Sequence, residues 1–160
     1  MIFKGSLHEY KIYLKKTIFK YENFFENAWV AEHIQLKDYG QFAEIGLGNY
    51  SILHAGETTD WNEFPLKFVD GSILMIAQSL EKIGNRKYEI SISNIAFVKV
   101  DEGNVRYIFH YDKVMEMADH PDNHLQFEFD KTIDTPRFDT YRYVELEEIL
   151  SMIVRDRLIV

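Results

Sequence analysis

The chain has 160 residues, 46% of them hydrophobic, and carries 18 Lys and Arg against 26 Asp and Glu, a net charge of −8. That length and apolar content fit one domain over 1–160 that buries a core without disulfides or metals, and they exclude a disordered polar chain. The absence of cysteine excludes a disulfide scaffold, a thiol nucleophile and any thiolate metal site, and the acidic balance opposes non-specific binding of nucleic acid by the whole surface.

The amino-terminal stretch MIFKGSLHEYKIYLKK has no apolar h-region, and no run approaches the ~18 apolar residues of a membrane span. A soluble cytoplasmic protein without membrane contact is therefore expected. Leu7, Tyr10, Leu14, Ile18, Tyr21 and Phe25 fall three or four apart, and Ser6 with Glu9 forms a capping-box pattern, which predicts an amphipathic helix near 6–26 covering a sheet. Lys11, Lys15, Lys16 and Lys20 lie partly along its other side and read as a solvated face. Short extended stretches follow at Trp29–Leu36 and Phe42–Ala55, the second interrupted by Gly46 and Gly48 as a bulge or tight turn, and Gly56–Pro65 reads as a surface loop.

Leu66–Val69 and Ser72–Ala77 flank Asp70-Gly71, a dipeptide suited to a two-residue hairpin turn, although the spacing from Ile73 to Ile83 could also be written as a helix. Tyr88–Val100 alternates, turns at Asp101-Glu102-Gly103-Asn104 and returns as Val105–Asp112, the clearest hairpin in the chain. A last strand is expected at 124–130 and a helix near 144–158, with Glu145, Glu147 and Glu148 early and Arg155 and Arg157 late, as the helix dipole favours. The predicted fold is α+β, a meandering antiparallel sheet flanked by N-terminal and C-terminal helices.

Arg106–Phe138 is where chemistry concentrates, because His110, His120 and His124, three of the six histidines, fall there among Asp112, Asp119 and Asp122. Alternation sends Val105, Tyr107, Phe109 and Tyr111 to one side of an extended segment and Arg106, Ile108, His110 and Asp112 to the other. In the next segment Leu125, Phe127 and Phe129 are apolar, with His124, Gln126 and Glu128 opposite. Pairing the two segments puts His110, Asp112, His124, Gln126 and Glu128 on one polar face, with His120 in the connecting loop. Histidine near its usual pKa of ~6.5 takes and returns a proton at neutral pH, so His110, Asp112 and His124 could supply a base, an acid and an orienting carboxylate. Arg106 or Arg137 could stabilise a phosphate in the transition state. RNA cleavage needs no metal for this, since the 2′-hydroxyl is the nucleophile. A metal is a weaker reading: His120 and His124 are four apart, but Pro121 lies between them and places them in a loop. No metal or cofactor is expected. Serine-nucleophile and phosphate-loop motifs are absent; Gly46-Leu47-Gly48-Asn49-Tyr50-Ser51 lacks the third glycine and the Lys-Ser/Thr.

The order LKFVDGSILMI, YEISI, VRYIFHYD, a His-Pro loop and NHLQF resembles the TumE-type bacterial toxins of toxin-antitoxin modules and related small uncharacterised families, over roughly residues 66–130. By that resemblance Asp70, Tyr111, Asp112, His120 and His124 match the family pattern, with Tyr111 implied as a substrate contact. His110 stands where the family usually has arginine, and His124 is followed by Leu125-Gln126 in place of a paired histidine. The resemblance implies a toxin-like or defence-related protein acting on RNA, with a cognate antitoxin as partner. The rival expectation is a non-catalytic acidic binding protein, an antitoxin, immunity or anti-defence factor, whose carboxylates in 56–63, 115–122 and 145–148 engage a basic partner.

Overall fold

The computed structural model describes residues 1–48, 65–115, 119–129 and 132–159. Helix α1 (Leu7–Lys20) starts at Ser6, whose hydroxyl accepts from the Glu9 amide at 3.1 Å while the Ser6 amide donates to the Glu9 carboxylate at 2.5 Å. These reciprocal bonds satisfy two N–H groups that a helix start otherwise leaves orphaned. The apolar spacing runs on to Phe25, yet the helix stops at Lys20 and a short 3₁₀ turn, Glu22–Phe24, follows. The reason is tertiary. Phe25 stacks on Phe68 with ring centroids 4.5 Å apart, and the Phe24 carbonyl accepts from the Val69 amide at 3.0 Å. Trp29–Leu36, expected as extended, is instead a 3₁₀ helix over Ala28–His33 that buries Val30 and Ala31, and the chain becomes extended only at Gln35.

Nine strands among the described residues form one antiparallel sheet. They are β1 (Ile2–Lys4), β2 (Gln35–Asp38), β3 (Phe42–Leu47), β4 (Leu66–Lys67), β5 (Ile73–Gly84), β6 (Lys87–Asp101), β7 (Asn104–Lys113), β8 (Asn123–Glu128) and β9 (Phe138–Asp139). The order is β2-β3-β5-β6-β7-β8-β9, with β1 beside β6 and β4 beside β5. Ile73–Gly84 is thus strand and not helix: its β-branched residues pack on both faces of a central position. The Asp70-Gly71 turn closes through three residues and not two. Leu66 and Lys67 pair with Leu74 and Ile73, the Phe68 amide donates to the Ser72 carbonyl at 2.8 Å, and Gly71 takes the positive φ of 85°. Between β6 and β7 the turn is the tight one expected, with Asp101 opposite Asn104 and both Glu102 and Gly103 at positive φ. The expected extension of the Phe42 strand beyond Gly48, and the loop over 56–64, lie outside the described residues.

Helix α2 (Leu146–Arg155) packs with α1 on a single face of the sheet, where Tyr10, Leu14, Ile18, Ile149, Leu150 and Ile153 share one core with Leu74, Ile76, Ile95, Phe97, Phe109 and Tyr111. The α+β architecture of the sequence reading holds, with both helices on the same side. A smaller apolar cluster of Ile73, Met75, Ala96, Val98 and Ile108 occupies the other face. Val105 belongs to that second cluster, opposite to its expected side, because the β6–β7 register shifts between Lys99 and Val100 and carries Arg106 past without a partner in the ladder.

Candidate functional site

On the face opposite α1 and α2 the apolar cluster gives way to polar groups along successive register lines. Ile108 is opposite Glu128, His110 opposite Gln126 and Asp112 opposite His124. Because side chains alternate along each strand, these residues all project to that face. Asp112 is the hub. Its Oδ2 lies 2.6 Å from His110 Nδ1 and 3.5 Å from His124 Nε2, while its Oδ1 accepts from the Asn94 amide of the neighbouring strand. The imidazole centroids of His110 and His124 are 6.4 Å apart, and His120 brings a third ring within 5.8 Å of His124. His124 Nδ1 donates to the Pro121 carbonyl at 2.9 Å, which ties the loop to the strand and leaves Nε2 as the nitrogen facing the site.

His110 is buried, and its Nε2 has no hydrogen-bond partner; the Glu128 carboxylate stands 3.7 Å away, close enough for an ion pair and too far for a hydrogen bond. Burial alone pushes this imidazole down, but the Asp112 and Glu128 carboxylates outweigh it and hold His110 up at about 9. At neutral pH it is a cation with an Nε2–H to give. His120 Nδ1 is a second buried nitrogen without a partner.

The other expected site residues divide. Arg137 precedes β9, next to the Leu125–Phe138 pair; its side chain is mostly buried, Nε has no partner, and Nη1 reaches Asp134 at 3.4 Å. Arg106 is exposed and engaged through Nε and Nη2 with the Asp101 carboxylate at 3.1 and 2.8 Å. Tyr111, expected as a substrate contact, lies on the helix-covered face with no exposure. Its hydroxyl donates to Asn123 Oδ1 at 2.7 Å and accepts from the Val144 amide at 3.1 Å, so it is a core tie and not a ligand contact. Asp70, matched by resemblance, holds the hairpin: it accepts from the Ser72 amide at 2.9 Å and pairs with Lys99 at 2.7 Å. Sequence reading missed Asn94, because nothing in an alternating strand distinguishes an asparagine that steadies a carboxylate on the next strand from one that is merely solvated. Glu128 was legible as a member of the polar face, but its ion pair with His110 depends on register.

Beside this cluster the same face opens into a cleft of about 670 Å³. Two register lines form its floor: Gln35, Gly46, Ala77 and Asn94 in one, Lys37, Glu44, Ser79 and Ile92 in the next. The first line continues through Asp112 to His124. Gly46 is required there, since a Cβ would come within 2.9 Å of the Ile76 carbonyl oxygen.

Among the described residues no group of three or more His, Asp or Glu side chains is arranged to hold a metal ion, and no helix is long and apolar enough to cross a membrane. No family model, curated protein or solved structure matches this chain.

Proposed function

We propose that the protein is a small toxin-like enzyme that cleaves RNA by metal-independent acid–base chemistry. The observation that carries the reading is the convergence of His110 and His124 on the one carboxylate of Asp112. His124 Nε2 takes the proton of the 2′-hydroxyl as its oxygen attacks phosphorus. As the bond from phosphorus to the 5′-oxygen breaks, that oxygen receives the Nε2 proton of the His110 cation, leaving a cyclic phosphate and a free 5′-hydroxyl. Asp112 orients the His110 ring through Nδ1, the Pro121 carbonyl orients the His124 ring through its Nδ1–H, and Asn94 steadies Asp112. His120 and Arg137, each with a buried nitrogen that lacks a partner, are the donors left for the phosphate oxygens. Arg106 has no part in this reading, because Asp101 already occupies its fork. With a net charge of −8, RNA is held by these local contacts and not by a general field.

Expression of the wild type, His110→Gln and His124→Ala in bacteria tests the reading. Growth arrest and RNA breakdown are expected with the wild type alone, and cleavage by the purified protein should persist in chelator. Full growth with intact RNA in all three cultures removes it. Capture of a basic protein partner without RNA turnover would put the acidic binding protein in its place.

A further inference from the structure

Three regions outside the histidine cluster could bind something. The groove under Phe127, Phe129, Pro136 and Phe138 is wholly apolar, and nothing among the described residues shows what would cover it. The buried Tyr10–Gln78–Ser93 chain of hydrogen bonds is closed within the core. The cleft over Gly46 and Ala77 is different, because its lining mixes polar and apolar groups and its floor runs on to Asp112.

We infer that this cleft is a nucleobase subsite, and that Ala77 and Gln35 decide whether a base can sit there; the inference rests on the RNA-cleavage reading for its link to catalysis. Shape comes first. Further along this face β5 carries the buried Ile73 and Met75, whereas at the cleft it carries only Ala77 and Ser79, beside Gly46 of β3. The hollow is therefore a local drop in side-chain volume where β3 and β5 meet. Its volume of about 670 Å³ lies within the ~300–1,000 Å³ of small-molecule sites.

The lining chemistry fits a neutral, hydrogen-bonding heterocycle. Lys37 and Glu44 are cross-strand partners of opposite sign, so they leave little net field for a charged ligand. Gln35 offers an amide and Ser79 a hydroxyl in the lining, groups that pair with base edges. Ile92, 39% exposed beside them, provides an apolar surface for a ring face. Position supplies the rest. Ala77 is separated from Asp112 by a single strand, β6, which at ~4.8 Å between strands sets them about 10 Å apart. His110 shares β7 with Asp112 and His124 lies one strand further on β8, so a base over Ala77 directs the rest of its nucleotide along this line toward the cluster.

The test follows backbone amide shifts of the labelled full-length protein during titration with adenosine, cytidine, guanosine and uridine in turn. At least one nucleoside should move the Gly46, Ala77 and Asn94 amides saturably. Ala77→Leu, which fills the hollow, should raise the apparent Kd at least tenfold. Gln35→Ala, at an exposed position that the fold does not depend on, should raise it severalfold. Absence of a shift along this line with all four nucleosides, or binding unchanged in both variants, overturns the inference. The two readings fail separately: nucleoside binding without RNA turnover leaves the subsite and removes the catalysis, whereas turnover with the same KM in both variants leaves the catalysis and removes the subsite.

Discussion

His110 is held between the carboxylates of Asp112 and Glu128 at 2.6 and 3.7 Å, and the consequence is measurable without any substrate. Its folded pKa, raised to about 9, exceeds the ~6.5 of an unfolded chain, so folding favours the protonated ring. The stabilisation is fully present below about pH 6.5 and disappears as the pH climbs through about 9, a change on the order of 3 kcal/mol. Urea unfolding at pH 6 and pH 9.5 should show this loss in the wild type, with a clearly smaller one in His110→Gln. Parallel pH dependence in the two proteins would mean that the ring is neutral in the fold. The same proton is the acid of the proposed reaction, so cleavage should decline as the pH passes about 9.

At the scale of elements, the strands were the most legible part, because alternation marks a half-buried strand even when its neighbours are unknown. The C-terminal end of α1 and the region after it were not, although Ser6 and Glu9 marked its start. Helical spacing continues through Tyr21 and Phe25, and only the stacking of Phe25 on Phe68, a contact between distant segments, stops the helix at Lys20. Likewise Trp29–Leu36 carries strand-like residues that a 3₁₀ turn uses to bury Val30 and Ala31. Two substitutions test the local accounts. Ser6→Ala removes the hydroxyl that caps the Glu9 amide and should cost about 1 kcal/mol. Gly46→Ala drives a methyl against the Ile76 carbonyl at 2.9 Å, where only a shift of the β3–β5 pair gives relief, and should cost about 1–3 kcal/mol. Thermal unfolding reads both; a Gly46→Ala protein as stable as the wild type would show that β3 can move away at no cost.

Across the whole molecule, the sheet puts its larger core on one face and the histidine–carboxylate cluster on the other, and Tyr111 shows how the two are joined. The polar side of β7 and β8 was readable from alternation, and so was the nearness of His110 to His124. The cleft was not, since it arises only when Gly46 of β3 meets Ala77 of β5 and Asn94 of β6 in one line. Tyr111 was misread as a ligand contact on the strength of a motif, although its own alternation with Phe109 assigned it to the core. Its buried hydroxyl fastens Asn123, the residue before His124, to Val144 at the entrance to α2. Tyr111→Phe keeps the ring and its packing but leaves an amide N–H and a side-chain carbonyl without their partner, so it should destabilise by about 1–2 kcal/mol. Because the lost bond holds the start of β8, hydrogen exchange at the His124 and Gln126 amides should quicken by more than the global loss of stability requires. Exchange that follows the global loss alone would show that the histidine loop is held by its own contacts, His124 to Pro121 foremost, and not through the core.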